Sequence, residues 1–213
     1  LPKSAMLVGP RGVAAAAAQF EFARVLELTP GTDLAFGDIT IYAEPVRHGE
    51  DEVGGLSYVM RSAAGAPSVY VCGDSGYFSG FGDIGARHAP DLACLPIGGF
   101  LPLSFRDRHM SPIDALTAFT DLRARILLPI HYGAFALSYE KLDEPLRLLS
   151  ETATARGLRD HMLIMQPGQS QRIGAAVASS ERPSEAPCDV HITGPFETEE
   201  LPQHSLLSQV PLT

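Results

Sequence analysis

The sequence predicts an α+β fold in which helices cover β-sheets. Pairs of strand-like segments joined by turns come first along the chain, and strand–helix–strand units follow them. The chain has 213 residues, of which 45% are hydrophobic. That is enough apolar material to bury one core, so we expect a single globular domain.

The first half of the chain predicts short strands around one helix. Ala5–Val8 and Arg24–Leu28 are apolar runs of strand length, and the alanine-rich segment Val13–Phe20 predicts a helix that packs through small residues. Gly37-Asp38 is typical of a hairpin turn, and a second turn covers residues 64–67. The strands that flank these two turns are predicted at Asp33–Phe36, Ile39–Ala43, Leu56–Arg61 and Ser68–Cys72.

The second half predicts helices between buried strands. Ser79 can cap a short helix that ends at Arg87, and Asp91–Ile97 is predicted to be a buried strand. A further helix is expected from Pro145 onward, and His161–Met165 is predicted to be the final strand.

Three capping signals within four residues define one helix start. Ser111 supplies an N-cap hydroxyl, Pro112 suits the first helical position, and Asp114 faces the positive end of the helix dipole. Apolar residues recur after Pro112 at the helical period, so we expect one face of this helix to lie in the core.

The composition excludes several classes of function. A net charge of −9 leaves no basic stripe for nucleic acid, so we expect no nucleic-acid partner. No apolar run approaches the roughly eighteen residues of a membrane span. Of the three cysteines, Cys72 and Cys94 lie in apolar runs and are expected to be buried thiols. We therefore predict a cytoplasmic protein, with a peripheral membrane location as the alternative.

Both ends of the chain differ from the body. Residues 175–213 carry six acidic residues, one arginine and five prolines without any sustained apolar period, which predicts a disordered acidic tail. We place the domain at residues 1–174. The chain starts at Leu1, without a Met or a signal segment, so we expect it to begin inside a longer reading frame or after processing.

Three polar residues each follow a strand-like run at the point where a turn begins. They are His48, Asp74 and His131. Side chains at strand ends converge on one rim of a sheet, and two imidazoles with a carboxylate suit zinc or a similar divalent ion. Asp74 by itself could be an ordinary turn residue, since Asp-Ser-Gly is common in turns. A lone histidine at a strand end is more often structural, and we apply that interpretation to His88 and His161.

Four motifs occur in a fixed order along residues 70–149, and Asp143-Glu144-Pro145 follows them. The motifs are Gly73-Asp74-Ser75-Gly76-Tyr77, Leu95-Pro96-Ile97-Gly98-Gly99-Phe100, His109-Met110-Ser111-Pro112-Ile113-Asp114-Ala115, and Pro129-Ile130-His131-Tyr132-Gly133-Ala134-Phe135-Ala136-Leu137. In this order they resemble the metallo-beta-lactamase superfamily, in the branch of N-acylphosphatidylethanolamine phospholipase D and the ascorbate-phosphate lactonases. A weaker resemblance runs back to Leu1.

The resemblance implies an αββα sandwich with two zinc ions at the sheet edges. It carries the later metal ligands of the family onto His48, Asp74 and His131, with Asp74 bridging the two metals. It places His109 beside the substrate, as a catalytic residue together with Asp74. The alternative is that His109, which precedes a capped helix, merely caps or packs there. Gly49 stands where the family usually has an aromatic residue, which changes the local shape of the pocket.

The family's first ligand cluster, His-x-His-x-Asp-His, is absent from this sequence. We therefore expect an N-terminally incomplete fold, whose 213 residues are inactive alone but belong to a zinc-dependent hydrolase. The substrate implied by the resemblance is a phosphodiester, a phospholipid or a lactone, and the motif around His131 favours the phospholipase D-like phosphodiesterase. The alternatives are a lactonase acting on a small soluble substrate and a non-catalytic remnant of the fold. The sequence leaves the oligomeric state open.

Overall fold

The N-terminal strands form a small sheet of their own. The computed structural model describes residues 4–49 and 55–174. Strands β1 (Met6–Pro10) and β2 (Arg24–Leu28) pair in parallel, with Met6 opposite Arg24. Helix α1 (Val13–Ala16) connects them and is shorter than the predicted Val13–Phe20. No residue of α1 itself is buried, and only Ala17 directly after it is, so the predicted small-residue packing face is reduced to one alanine. Alanine favours helix, but a short helix needs tertiary packing to extend.

The main sheet has six strands in chain order. They are β3 (Asp33–Phe36), β4 (Ile39–Pro45), β5 (Leu56–Ser62), β6 (Val69–Val71), β7 (Leu92–Pro96) and β8 (Ile126–Ile130). Pairing is antiparallel from β3 to β6 and parallel from β6 to β8. Both predicted strand pairs are confirmed, including the hairpin in which Phe36 pairs with Ile39. The parallel half brings the carboxyl ends of three strands to one edge.

Helices fill the connections in the parallel half of the sheet. Helix α2 (Gly80–His88) joins β6 to β7, α3 (Pro112–Asp121) joins β7 to β8, and α4 (Glu144–Ala155) follows β8. A 3₁₀ helix at Leu103–Asp107 precedes α3. Helix α3 packs against β7 and contacts both α2 and α4. The core between these elements is built from large apolar side chains, among them Tyr70, Phe81, Leu95, Leu116, Phe119 and Leu127, all fully buried.

Of the two predicted N-caps, Ser111 caps its helix and Ser79 does not. The Ser111 hydroxyl accepts a hydrogen bond from the Asp114 N–H at 3.3 Å, and the Asp114 carboxylate accepts one from the Ser111 N–H at 3.0 Å. This reciprocal capping box confirms the predicted start of α3. Ser79 does stand before α2, but its side chain makes no capping hydrogen bond.

The predicted final strand is wrong. Residues Arg159–His161 form a 3₁₀ helix, and beyond them only Met162 makes an isolated bridge, to Leu127. The Leu163 N–H donates to the Leu127 carbonyl at 2.9 Å, but no ladder follows before the turn at Pro167. One contact with β8 does not satisfy enough backbone groups to extend the sheet. The predicted tail, residues 175–213, lies outside the described residues.

Candidate metal centre

Four polar side chains meet at the edge where the parallel strands end. Asp74 follows β6 and His131 follows β8, while His48 comes after β4 and His109 precedes α3. One possible ligand atom each of His48, Asp74 and His109 lies within 4.8 Å of the other two. Nε2 of His131 lies 3.5 Å from Oδ1 of Asp74. The structure thus brings together all three predicted ligands and the predicted substrate residue.

The ring of His109 lies beside both other imidazoles. Its centroid is 5.2 Å from that of His48, in an edge-to-face arrangement, and 5.2 Å from that of His131, nearly stacked. The family resemblance predicted that His109 lies beside the substrate and is not a metal ligand. In the structure His109 is close enough to Asp74 and His48 either to bind a metal with them or to contact a substrate beside them. Its role therefore stays a prediction.

Ser75 connects the His48 segment to the Asp74 segment. Its side chain is fully buried, and its hydroxyl accepts a hydrogen bond from the Arg47 N–H at 3.0 Å. The Gly76 N–H donates to the Arg47 carbonyl at 2.7 Å. Both bonds join Arg47, which precedes His48, to the two residues that follow Asp74. They hold the two backbone segments side by side. From sequence, Ser75 had no predicted role beyond turn chemistry, because no local pattern reveals a partner so distant along the chain.

A second set of contacts brings His109 to the same place. The Met110 N–H donates to the Ser75 carbonyl at 3.0 Å. A Cβ on Gly76 would lie 2.3 Å from the Arg106 carbonyl oxygen, so only glycine allows the 3₁₀ segment to pack this closely. The Arg106 guanidinium donates to the Asp114 carboxylate from Nε at 2.8 Å and also from Nη2. Asp114 therefore fixes both the start of α3 and the segment that carries His109.

His131 is held by an unusual backbone conformation. Its φ of +58° lies in the left-handed region, which residues other than glycine seldom adopt and which often marks functional sites. A Cβ on Gly98 would lie 2.4 Å from the His131 carbonyl oxygen. The Ile97 N–H donates to the Ile130 carbonyl at 3.1 Å. The Gly98-Gly99 motif therefore makes room for the turn that presents His131.

The donor set fits a divalent metal ion. It offers imidazole nitrogen and carboxylate oxygen, the atoms that zinc and similar ions bind in proteins. Among the described residues, Nδ1 of His109 and Nδ1 of His131 are buried without a hydrogen-bond partner. Burial lowers the pKa of His109, as do the neighbouring histidines, although the Asp74 carboxylate acts in the opposite direction. A neutral imidazole is the form that binds a metal.

The two histidines and two cysteines interpreted as structural lie in hydrogen-bonded or buried positions. Nε2 of His88 lies 2.8 Å from a carboxylate oxygen of the buried Glu44, and Nδ1 of His161 lies 2.9 Å from the Arg125 carbonyl. Both are satisfied by hydrogen bonds, as expected. Cys72 and Cys94 are buried free thiols, also as expected. Burial raises the pKa of Cys72 to about 12 and that of Cys94 to about 11, so neither is a reactive thiolate near neutral pH.

A cavity of about 270 Å³ adjoins the cluster. It is lined by Gly98 and Gly99, by the turn at His131–Gly133, by side chains of the loop 134–142 and by Pro145. We call it the loop pocket. Because His131 belongs to both the pocket and the histidine cluster, a molecule in the pocket would lie next to the candidate metal ligands.

The family model described as the beta-lactamase superfamily domain matches residues 3–132. The chain belongs to this superfamily. The match ends just after His131 and contains all four clustered residues. The predicted mixed α/β sandwich of the metallo-beta-lactamase type is confirmed both by this match and by similarity to solved structures.

Individual relatives share the superfamily fold. A Mycobacterium tuberculosis protein is 30% identical over 158 residues, covering 70% of this chain and 41% of its own length. A protein of Caldivirga maquilingensis, named UPF0173 metal-dependent hydrolase, is 31% identical over 133 residues, covering 62% and 52%. The structure of Igni18, a metallo hydrolase from Ignicoccus hospitalis, has a TM-score of 0.62 at 23% identity, covering 78% and 67%. The chain spans about half, or less, of the length of the curated relatives it matches.

Within the described residues, no helix is long and apolar enough to cross a membrane.

Proposed function

We propose that this chain carries part of the active site of a metal-dependent hydrolase. The observation that carries the proposal is the cluster at the sheet edge. Ligand atoms of His48, Asp74 and His109 lie within 4.8 Å of one another, and His131 lies 3.5 Å from Asp74. Relatives named metal-dependent hydrolases support the same reaction type. Three imidazoles and a carboxylate side by side offer the nitrogen and oxygen donors that zinc sites use.

We assign each residue a role in that site. His48, Asp74 and His131 would hold two divalent ions, most simply zinc, with Asp74 contacting both. His109 would face the substrate and hold it by a hydrogen bond. When bound, the ions supply a water of lowered pKa and positive charge opposite the developing oxyanion. Further ligands would come from a His-x-His-x-Asp-His cluster outside these 213 residues.

The substrate we favour is a phosphodiester, as in the phospholipase D-like branch. The motif around His131 supports this choice, because it is the segment most similar to that branch. A lactonase acting on a small soluble substrate is the second candidate, since the same residues would hold ions whose positive charge suits attack on a carbonyl carbon equally well. A non-catalytic remnant that keeps only the fold is the third.

Metal analysis separates the enzyme from the remnant. We expect the complete protein to bind about two Zn²⁺ per chain and the 213-residue chain to bind them weakly, because three ligands are too few for a tight dinuclear site. Codons for the His-x-His-x-Asp-His cluster upstream of Leu1 would support the enzyme. A genuine start codon at that point would support the remnant. Tight stoichiometric binding of two ions by the 213 residues alone would contradict the expectation that their metal site is incomplete.

Activity then separates the two enzymes. The metal-loaded complete protein should hydrolyse bis(4-nitrophenyl) phosphate faster than γ-butyrolactone, and removal of the metal by a chelator should abolish both reactions. Preferential lactone hydrolysis would favour the second candidate. Absence of both reactions together with absence of bound metal would favour the remnant.

A further inference from the structure

The loop pocket shares a wall with the candidate metal centre. A Cβ on Gly99 would lie 3.3 Å from Cγ of His109, and Gly98 packs against the His131 carbonyl. These two glycines therefore have one side toward the histidines and the other toward the pocket. Because glycine carries no side chain, this shared wall adds no side-chain bulk between the histidines and the pocket.

Three of the residues that line the pocket are large, apolar and exposed, which is unusual for a surface loop. Phe135 is 77% exposed, Leu137 is 63% exposed and Leu142 is 47% exposed, and all three line the pocket. Isolated apolar residues on a surface need no explanation, but three large ones around one cavity indicate a binding surface. An apolar molecule would remove this area from water, which is the main source of affinity in such pockets.

The one carboxylate among the residues that line the pocket is already engaged, whereas Lys141 and Tyr132 are its other polar side chains besides His131. The Glu140 carboxylate accepts hydrogen bonds from the Gly99 N–H, from the Leu101 N–H at 3.3 Å and from the Ser138 hydroxyl. These bonds lower the pKa of Glu140 despite the opposing effect of burial. Glu140 thus ties the loop to the glycine wall, and its acceptor capacity is used within the protein rather than offered to a ligand.

The volume limits what can bind. A cavity of about 150 Å³ is enough for benzene. At about 270 Å³, the loop pocket has room for roughly ten non-hydrogen atoms on the same scale. This corresponds to a medium-length alkyl or acyl chain or a substituted aromatic ring.

We infer that the loop pocket binds the apolar, non-reacting group of the substrate and selects it by length. The inference rests on the proposed function, because it places the reacting bond at the histidine cluster. It adds that the substrate carries an apolar substituent of medium length next to that bond, and that Phe135, Leu137 and Leu142 determine the preference.

Binding of alkylphosphonates to the metal-loaded complete protein tests the inference without turnover. Calorimetry would compare methyl-, butyl- and octylphosphonate, whose head group is the same. We expect affinity to rise about fourfold per methylene until the pocket is full. The double variant Phe135→Ser with Leu137→Ser should lose at least tenfold in octylphosphonate affinity and keep its affinity for methylphosphonate.

Tyr139→Ser is the matched control. Tyr139 is 80% exposed on the same loop but does not line the pocket. Its substitution should leave the chain-length dependence intact. Equal affinity for methyl- and octylphosphonate, or an equal loss in Tyr139→Ser, would overturn the inference while leaving the proposed function standing. No binding of any phosphonate, together with no hydrolysis, would instead overturn the proposed function and this inference with it.

Discussion

Nε2 of His131 lies 3.5 Å from Oδ1 of Asp74, although the two residues follow strands that are not neighbours in the sheet. Strand β7 runs between β6 and β8, and it ends in the Gly98-Gly99 segment. Two glycines leave open the space above this middle strand, so the side chains on either side can approach each other. The parallel half of the sheet and the glycine exit of β7 together produce the candidate site.

Asp74→Asn tests the centre of the site. The amide keeps the size and the turn preference of the carboxylate but removes the charge that would bind two cations. In the complete protein we expect metal content and hydrolysis to collapse, with an unchanged circular dichroism spectrum. Full metal content and activity in this variant would show that the site assignment is wrong.

His109→Ala separates a substrate residue from a metal ligand. If His109 only holds the substrate, the variant should keep its metal content while kcat/KM falls by about 10²-fold or more. Metal analysis beside steady-state kinetics gives the answer. Loss of one ion per chain would instead make His109 a ligand, which its distance from His48 and Asp74 permits.

Two glycines of α2 should respond oppositely to alanine. A Cβ on Gly85 would lie 2.1 Å from the Asp121 carbonyl oxygen, so Gly85→Ala must push α2 away from the end of α3. We expect it to lower the free energy of unfolding by about 1–3 kcal/mol. Gly82 has nothing within 4 Å of its Cβ position, so Gly82→Ala should raise that free energy by up to about 1 kcal/mol. Denaturant unfolding of both variants would measure the difference, and equal effects would contradict the packing described for Gly85.

Residues 175–213 should be dispensable for folding. They are acidic, proline-rich and without an apolar period, so they have little to bury against the body. Truncation after Gly174 should leave the thermal midpoint within about a degree of that of the longer chain. A large decrease would show that the tail docks on the domain.

Local chemistry made much of the fold predictable. The start of α3 followed from Ser111, Pro112 and Asp114, because a capping box satisfies backbone groups within a few residues. The hairpin at Gly37-Asp38 followed from turn chemistry in the same way. The length of the helix that begins at Val13 and the strand at His161 were predicted wrongly, because both depend on packing partners that no local pattern reveals.

The residue types of the candidate site and their positions at strand ends could be identified from the amino-acid sequence alone. His48, Asp74 and His131 stood out because each follows an apolar run and begins a turn, which is a local property of the chain. How close these side chains come to one another depends on contacts of the tertiary structure. Ser75 joins two of the segments, Gly98 admits the His131 turn, and His109 comes within reach of Asp74 through the Met110–Ser75 hydrogen bond. These contacts join residues far apart in the chain, and their geometry depends on the whole sheet being formed.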